Sequence, residues 1–271
     1  MPWAPTNAGE IYYDLQGSKA APVLVLVRGL AWSSRYWLTL PGRFASSYRV
    51  LTLDSRGAGA SSAPLGPYSI GAMADDVAAV LGAAGIGRVH LFGLSLGGMI
   101  AQQFALRHRD RLGCLVLGAT SAGGWLRRPI PAAAMIRLLL SGLLPPPDTA
   151  RVMAPVLFAQ GFRRRQPRTW ARWLELAAVD ATPRHGAAAQ LLAALRHDTH
   201  GALPSIEAPT LVMAGAKDRL IPPEHSVQLA RKLPNAQLRV LDDSGHEFPT
   251  EQPDVTVRIV RGFLNRSSAI G

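Results

Sequence analysis

Gly93-Leu94-Ser95-Leu96-Gly97 sets a serine between glycines, directly after the apolar run 89–92 and directly before the helix-length apolar segment 95–107. That context suits a nucleophile elbow, a strained turn from strand to helix that lifts the serine hydroxyl clear of the backbone. Side chains at 93, 97 and 98 would collide with strand or helix there, and all three positions are glycine. The N–H groups at the start of the following helix have no partners within it and favour negative charge. The competing reading is a plain Gly-rich turn in which Ser95 caps the helix.

Serine needs a base to take its proton. Of seven histidines, His246 stands in the loop Asp242-Asp243-Ser244-Gly245-His246-Glu247, just past the apolar run 237–241. Loops after the C-terminal ends of strands are where open α/β sheets gather reactive groups. His90 falls within a strand, His108 ends a helix, His225 starts one, and His185, His197 and His200 lie in a strand-poor segment, so packing or surface roles suit these six. Asp218 follows the run Thr210–Gly215 and is the carboxylate placed to orient the base, while Asp242 and Asp243 are read as shaping the histidine loop. The chain order Ser95, Asp218, His246 is one that this type of triad uses. An oxyanion needs two backbone N–H donors. Leu96 is expected to supply one, and Leu30, in Arg28-Gly29-Leu30-Ala31-Trp32, the other.

Short apolar runs must carry these groups. Segments 23–27, 49–53, 89–92, 114–117, 210–213 and 237–241 read as strands, the first buried on both faces. Segments 34–46, 70–82, 95–107, 223–232 and 254–265 read as helices, and 10–15 as an antiparallel strand leading in. Strands alternating with helices predict an α/β fold with a mostly parallel sheet covered on both faces. Between 122 and 203 no buried strand is evident, and a helical cap is expected, with 1–121 and 204–271 as the core.

The bulk numbers narrow the function. With 271 residues, 48% hydrophobic and 17% charged, the chain has a globular composition. Its single cysteine, Cys114, permits no internal disulfide and no thiolate cluster, and it reads as a buried thiol. The net charge of +11 rests on 26 Arg and 3 Lys, and the cap holds 11 Arg against 4 acidic residues, +7 of that total. No zinc finger, aromatic RNA-binding signature or basic repeat accompanies the charge, so nucleic-acid binding is not expected. The N-terminus shows no signal peptide and no segment reaches membrane-span length, so a cytoplasmic location is the default.

Four motifs, Arg28–Trp37 (RGLAWSSRYW), 53–62 (LDSRGAGASS), 93–98 (GLSLGG) and 242–253 (DDSGHEFPTEQP), resemble those of the α/β-hydrolase superfamily in order and spacing, over nearly the whole chain. The resemblance implies an eight-stranded sheet, a helical lid after strand six, and no metal or organic cofactor. It implies a serine esterase-like enzyme acting on a small ester or acyl substrate, since related haloalkane dehalogenases and epoxide hydrolases use Asp where Ser95 stands. Lactonase, acyl-transfer or C–C hydrolase chemistry on a carboxylated substrate, and a non-catalytic binder, stand as alternatives. Arg28 occupies a place where the superfamily usually has His. Its side chain is expected either to bring positive charge to the acyl pocket, to reach solvent, or to pair with a carboxylate. Trp32, Leu94 and Trp125 are candidate substrate contacts, with Trp170, Trp173 and 138–140 as further apolar lining or cap core.

Overall fold

The computed structural model describes residues 3–124, 129–144, 148–180 and 182–268. Eight strands, β1 (Trp3–Thr6), β2 (Gly9–Gln16), β3 (Val23–Val27), β4 (Arg49–Leu53), β5 (Val89–Leu94), β6 (Leu112–Gly118), β7 (Thr210–Gly215) and β8 (Ala236–Leu241), form one sheet in the order β1-β2-β4-β3-β5-β6-β7-β8. The pairings β1/β2 and β2/β4 are antiparallel and the rest parallel.

Period-two alternation fills both faces from the same runs. In β3, Val25 and Val27 join one core cluster while Leu24 and Leu26 join the other. The first face is covered by α2 (Ile70–Ala83), α3 (Leu96–Arg107) and α9 (Pro223–Lys232), through Val77, Ile100 and Leu229. The second is covered by α1 (Leu40–Phe44) and α11 (Pro253–Ser268), through Phe44, Val260 and Phe263. Cys114 lies in this second core, where burial pushes its thiol pKa up. A short helix, α10 (Phe248–Glu251), links the histidine loop to α11. The segment 34–46 is not one helix. A 3-10 turn at Ser34–Trp37 is cut from α1 by Leu38 at φ 51, a left-handed backbone no helix continues through.

Between β6 and β7 lie α4 (Ala132–Ser141), α5 (Asp148–Leu157), α6 (Phe162–Arg165), α7 (Pro167–Val179) and α8 (Arg184–Arg196). Their core is aromatic: Trp173, fully buried, meets Tyr36, Trp32 and Phe158 at centroid distances of 4.7, 5.3 and 5.1 Å. The two ends of the cap meet in a bridge between Gly123 and Asp198. Among the described residues, no helix is long and apolar enough to cross a membrane.

The turn between β5 and α3 is a tight junction in this frame. A Cβ on Gly93 would strike the Gly97 carbonyl, and one on Gly97 would strike the carbonyl of Val27 at the end of β3. Gly97→Ala is therefore expected to destabilise the fold by about 3 kcal/mol or more, the range for forced overpacking and strain. Gly82→Ala, where a Cβ meets nothing within 4 Å inside a helix, should be neutral or stabilise by about 0.5–1 kcal/mol. Urea unfolding midpoints for the two variants check the contrast. Equal midpoints would show that the close approach is not real.

Candidate active site

Ser95 sits between β5 and α3 at φ 57, ψ −119, one of four non-glycine residues with positive φ among those described. Such a conformation costs about 1–3 kcal/mol and persists only where the surroundings over-determine it. Here they do. Its N–H donates to Gly118 O at 2.8 Å, and its carbonyl accepts from Gly98 N at 2.9 Å and from Thr120 Oγ1 at 2.7 Å. A Cβ on Gly29 would lie 3.2 Å from Ser95 Cβ and 3.6 Å from Oγ, so the loop after β3 lies against the hydroxyl. Neither the Leu30 nor the Leu96 N–H has a hydrogen-bond acceptor among the described residues.

Asp218 and His246 follow β7 and β8, and the hydrogen bond from Ala216 N to Leu241 O (2.9 Å) ties the two strand ends together. The imidazole Nδ1 lies 2.8 Å from Asp218 Oδ2, and both residues are buried. Asp218 Oδ1 accepts from Leu220 N and Ile221 N, each at 2.9 Å, so the carboxylate has little freedom to turn. A proton on Nδ1 suits this contact to a carboxylate oxygen, and a neutral imidazole in that tautomer keeps its lone pair on Nε2. Burial alone would pull the His246 pKa down. The Asp218 charge and hydrogen bond, with Glu247 beside them, outweigh it and leave the pKa above the ordinary 6.5. The histidine loop leans over β6: a Cβ on Gly118 would lie 3.1 Å from the ring of Phe248, two residues past His246. Among the described residues, no hydrogen bond joins Ser95 Oγ to the imidazole. Catalytic contacts of this kind are commonly long without substrate and tighten when it binds.

Arg28 is engaged within the protein. It is 1% exposed and forms two hydrogen bonds to Glu247, Nη2 to Oε1 at 2.9 Å and Nη1 to Oε2 at 3.2 Å. Its guanidinium lies 4.9 Å from the Trp37 ring centroid and 5.7 Å from that of Trp173. Of the three placements open from sequence, pairing with a carboxylate is the one present, and the partner follows the histidine directly. Leu94 also departs from expectation: it is fully buried in the sheet core rather than facing a pocket. Trp32 is half-buried, 4.4 Å from Tyr36. Trp173 is cap core, Trp170 packs on Phe158, and Leu139 and Leu140 face solvent at 57% and 49% exposure. Trp125 lies outside the described residues.

Several buried polar residues near the site carry no motif. On one side, cap residues hold the loop after β3. Gln190, fully buried in α8, accepts the Ala31 N–H at 2.8 Å and donates to Arg56 O at 2.7 Å. Thr182 donates to Ala31 O at 2.8 Å, and Ser33 donates to Asp180. The Ala31 N–H is thus taken, and the Leu30 N–H is left open beside it. On the other side, Glu251 accepts backbone N–H groups from Gly245 and Ala159, and burial raises its pKa to about 7 against the pull of those donors. Gln190 and Thr182 sit in no recognisable pattern. Glu247 and Glu251 both fall within the motif 242–253, but nothing local says what their carboxylates reach.

The family described as the alpha/beta hydrolase fold matches residues 22–253. The chain is 31% identical to "Putative carbamate hydrolase RutD" of Azorhizobium caulinodans, over 97% of this chain and 98% of that protein. It is 34% identical to a poly(3-hydroxyalkanoate) depolymerase of Ectopseudomonas oleovorans, over 80% of this chain and 75% of that one. The solved enol-lactonase of Burkholderia xenovorans LB400 superposes with a TM-score of 0.87 at 29% identity, covering 97% and 100% of the two chains.

The buried ion pair makes its own prediction. Removing one partner leaves an uncompensated buried charge, so Glu247→Ala or Arg28→Met alone should cost about 3–5 kcal/mol of stability. The double variant Arg28→Met/Glu247→Ala should lose clearly less than the sum of the two single losses in urea unfolding. Additive losses would mean that the two side chains do not act as a pair.

Proposed function

Because the chain belongs to the α/β-hydrolase fold family, we propose that it is a serine hydrolase that cleaves carboxylic ester-type bonds through an acyl-enzyme on Ser95, with His246 as base, Asp218 as its orienting carboxylate, and the Leu30 and Leu96 N–H groups as the oxyanion hole. The reading rests above all on one observation: a serine held at positive φ at the head of a helix, followed by Leu96 and packed against Gly29, with the Leu96 and Leu30 N–H groups lacking an acceptor among the described residues.

Nε2 of His246 takes the Ser95 proton as Oγ attacks the carbonyl carbon. The electron pair moves onto the carbonyl oxygen, where the two N–H donors receive it. Collapse breaks the acyl–oxygen bond, and the imidazolium returns its proton to the departing alcohol. Water, deprotonated by the same nitrogen, then releases the acid and restores Ser95. Asp218 keeps the imidazole in the tautomer that both halves need. Each of these steps runs on the chain's own side chains and backbone.

Poly(3-hydroxyalkanoates) and enol-lactones are both joined by ester bonds, which favours an ester substrate here. A carbamate carbonyl is open to the same attack, and the carbamate hydrolase likeness makes it the second substrate to test. The carboxylated-substrate alternative loses one of its two supports, since the Arg28 charge is taken by Glu247, and keeps the other, the basic segment 122–203.

On p-nitrophenyl esters, Ser95→Ala should lose on the order of 10⁶ in kcat and Asp218→Asn roughly 10⁴. A Ser95→Ala enzyme that kept a tenth of the activity would remove Ser95 from the chemistry. The base must be neutral to act, and its folded pKa is raised, so kcat/KM should climb with pH through a midpoint above 6.5 and then level off. A profile flat from about pH 5 to 9 would exclude His246 as the base.

A further inference from the structure

The base loop is held against the cap as well as against the sheet. Glu247 N donates to Leu157 O at 2.9 Å, where α5 ends. Gly245 has no room for a side chain, since its Cβ would stand 2.8 Å from Leu157 O and 2.9 Å from Ala159 N. One carboxylate serves both segments. Glu251 Oε1 accepts the Gly245 N–H at 2.7 Å, and its two oxygens take the Ala159 N–H at 3.3 and 3.1 Å. Its own carbonyl accepts from Gln166 Nε2 of the cap at 2.7 Å, and the residue is 5% exposed.

We propose that Glu251 is a positioning residue: by joining the amide before His246 to an amide of the cap, it makes the placement of the imidazole depend on the cap. This rests on His246 acting as the base. Gly245 and Ala159 come from segments far apart in the chain, and both point an N–H at the same buried acceptor. A carboxylate can serve both. A glutamine is the poorer partner: one oxygen in the place of Oε1 could still reach Gly245 N at 2.7 Å and Ala159 N at 3.3 Å, but its NH₂ would set a donor against Ala159 N where Oε2 now accepts at 3.1 Å. Displacing a catalytic group by about 1 Å can cost as much as 10²-fold in rate, so a loosened Gly245 is expected to appear in kcat before it appears in binding.

The test is a cycle of Glu251→Gln, Ala159→Pro and the double variant in the full chain. Proline at 159 removes the cap donor and sets its Cδ against the Glu251 carboxylate, so it breaks the same link from the cap side while leaving residues 95 and 246 unchanged. On p-nitrophenyl acetate, each single variant should lower kcat about tenfold with KM within about twofold, and the double should fall no further. Amide hydrogen exchange at Gly245 should quicken in Glu251→Gln and also in Ala159→Pro. A Glu251→Gln enzyme with unchanged kcat, or losses that multiply in the double, would overturn the proposal. If Glu251→Gln does not fold, Ala159→Pro decides alone: unchanged exchange at Gly245 and unchanged kcat would overturn it. Fluorophosphonate labelling of wild-type Ser95 separates the two levels. If labelling fails, the hydrolase reading falls, while the exchange data still report whether cap and base loop are coupled.

Discussion

The constraint on which the molecule depends is the close approach of helix α3 to the ends of β3 and β5. Gly93 and Gly97 allow backbone to pass within contact distance of backbone, and Ser95 is forced to positive φ between them. Three consequences follow from that crowding. The hydroxyl stands off the turn. The Leu96 N–H, first in its helix, is left without an internal partner. The loop that begins at Arg28 is drawn against the serine, bringing the Leu30 N–H with it. A buried parallel sheet is what makes this strain tolerable, since both of its faces are locked by apolar clusters.

Around that turn the cap acts as a second wall fastened by polar contacts. Gln190, Thr182 and Asp180 hold the loop that carries Leu30 and Trp32, while the backbone at 157–159 holds the loop that carries His246. Arg28 and Glu247 cross between the two loops as a buried, doubly hydrogen-bonded pair. A buried pair of this kind adds little net stability, because desolvation offsets most of the attraction. Its geometric effect is larger: Arg28, at the start of the loop after β3, and Glu247, next to His246, are fixed relative to each other. The positive charge of Arg28 lowers the His246 pKa and the negative charge of Glu247 raises it, so the pair leaves Asp218 as the dominant electrostatic influence on the imidazole.

Much of this was legible in the sequence. The β-branched run 23–27 and its counterparts marked the parallel strands, because a strand buried on both faces must be apolar throughout. Ser95, Asp218 and His246 could be picked out because each follows such a run at the end where loops converge. Strand β1 was not legible, since only Ala4 of its four residues is buried and Pro5 stands within it. The break at Leu38 was hidden because its left-handed backbone is imposed by tertiary packing and not by residue type. The partner of Arg28, 219 residues away, leaves no trace in local spacing. Gln190 was missed for the same reason, since a single polar residue that satisfies distant backbone groups obeys no periodicity; Glu251 stood within the motif 242–253, but its reach to Ala159, 92 residues away, leaves no local mark. Leu94 looked like pocket lining because it flanks the serine, but period two turns it into the core.

The account stands or falls on a covalent acyl group at Ser95. A slow ester, mixed with enzyme and acid-quenched within the first turnover, should leave the mass of its acyl group on the peptide that contains Ser95, in an amount approaching one per chain. No acyl mass on any peptide, or its appearance on a residue other than Ser95, would contradict it.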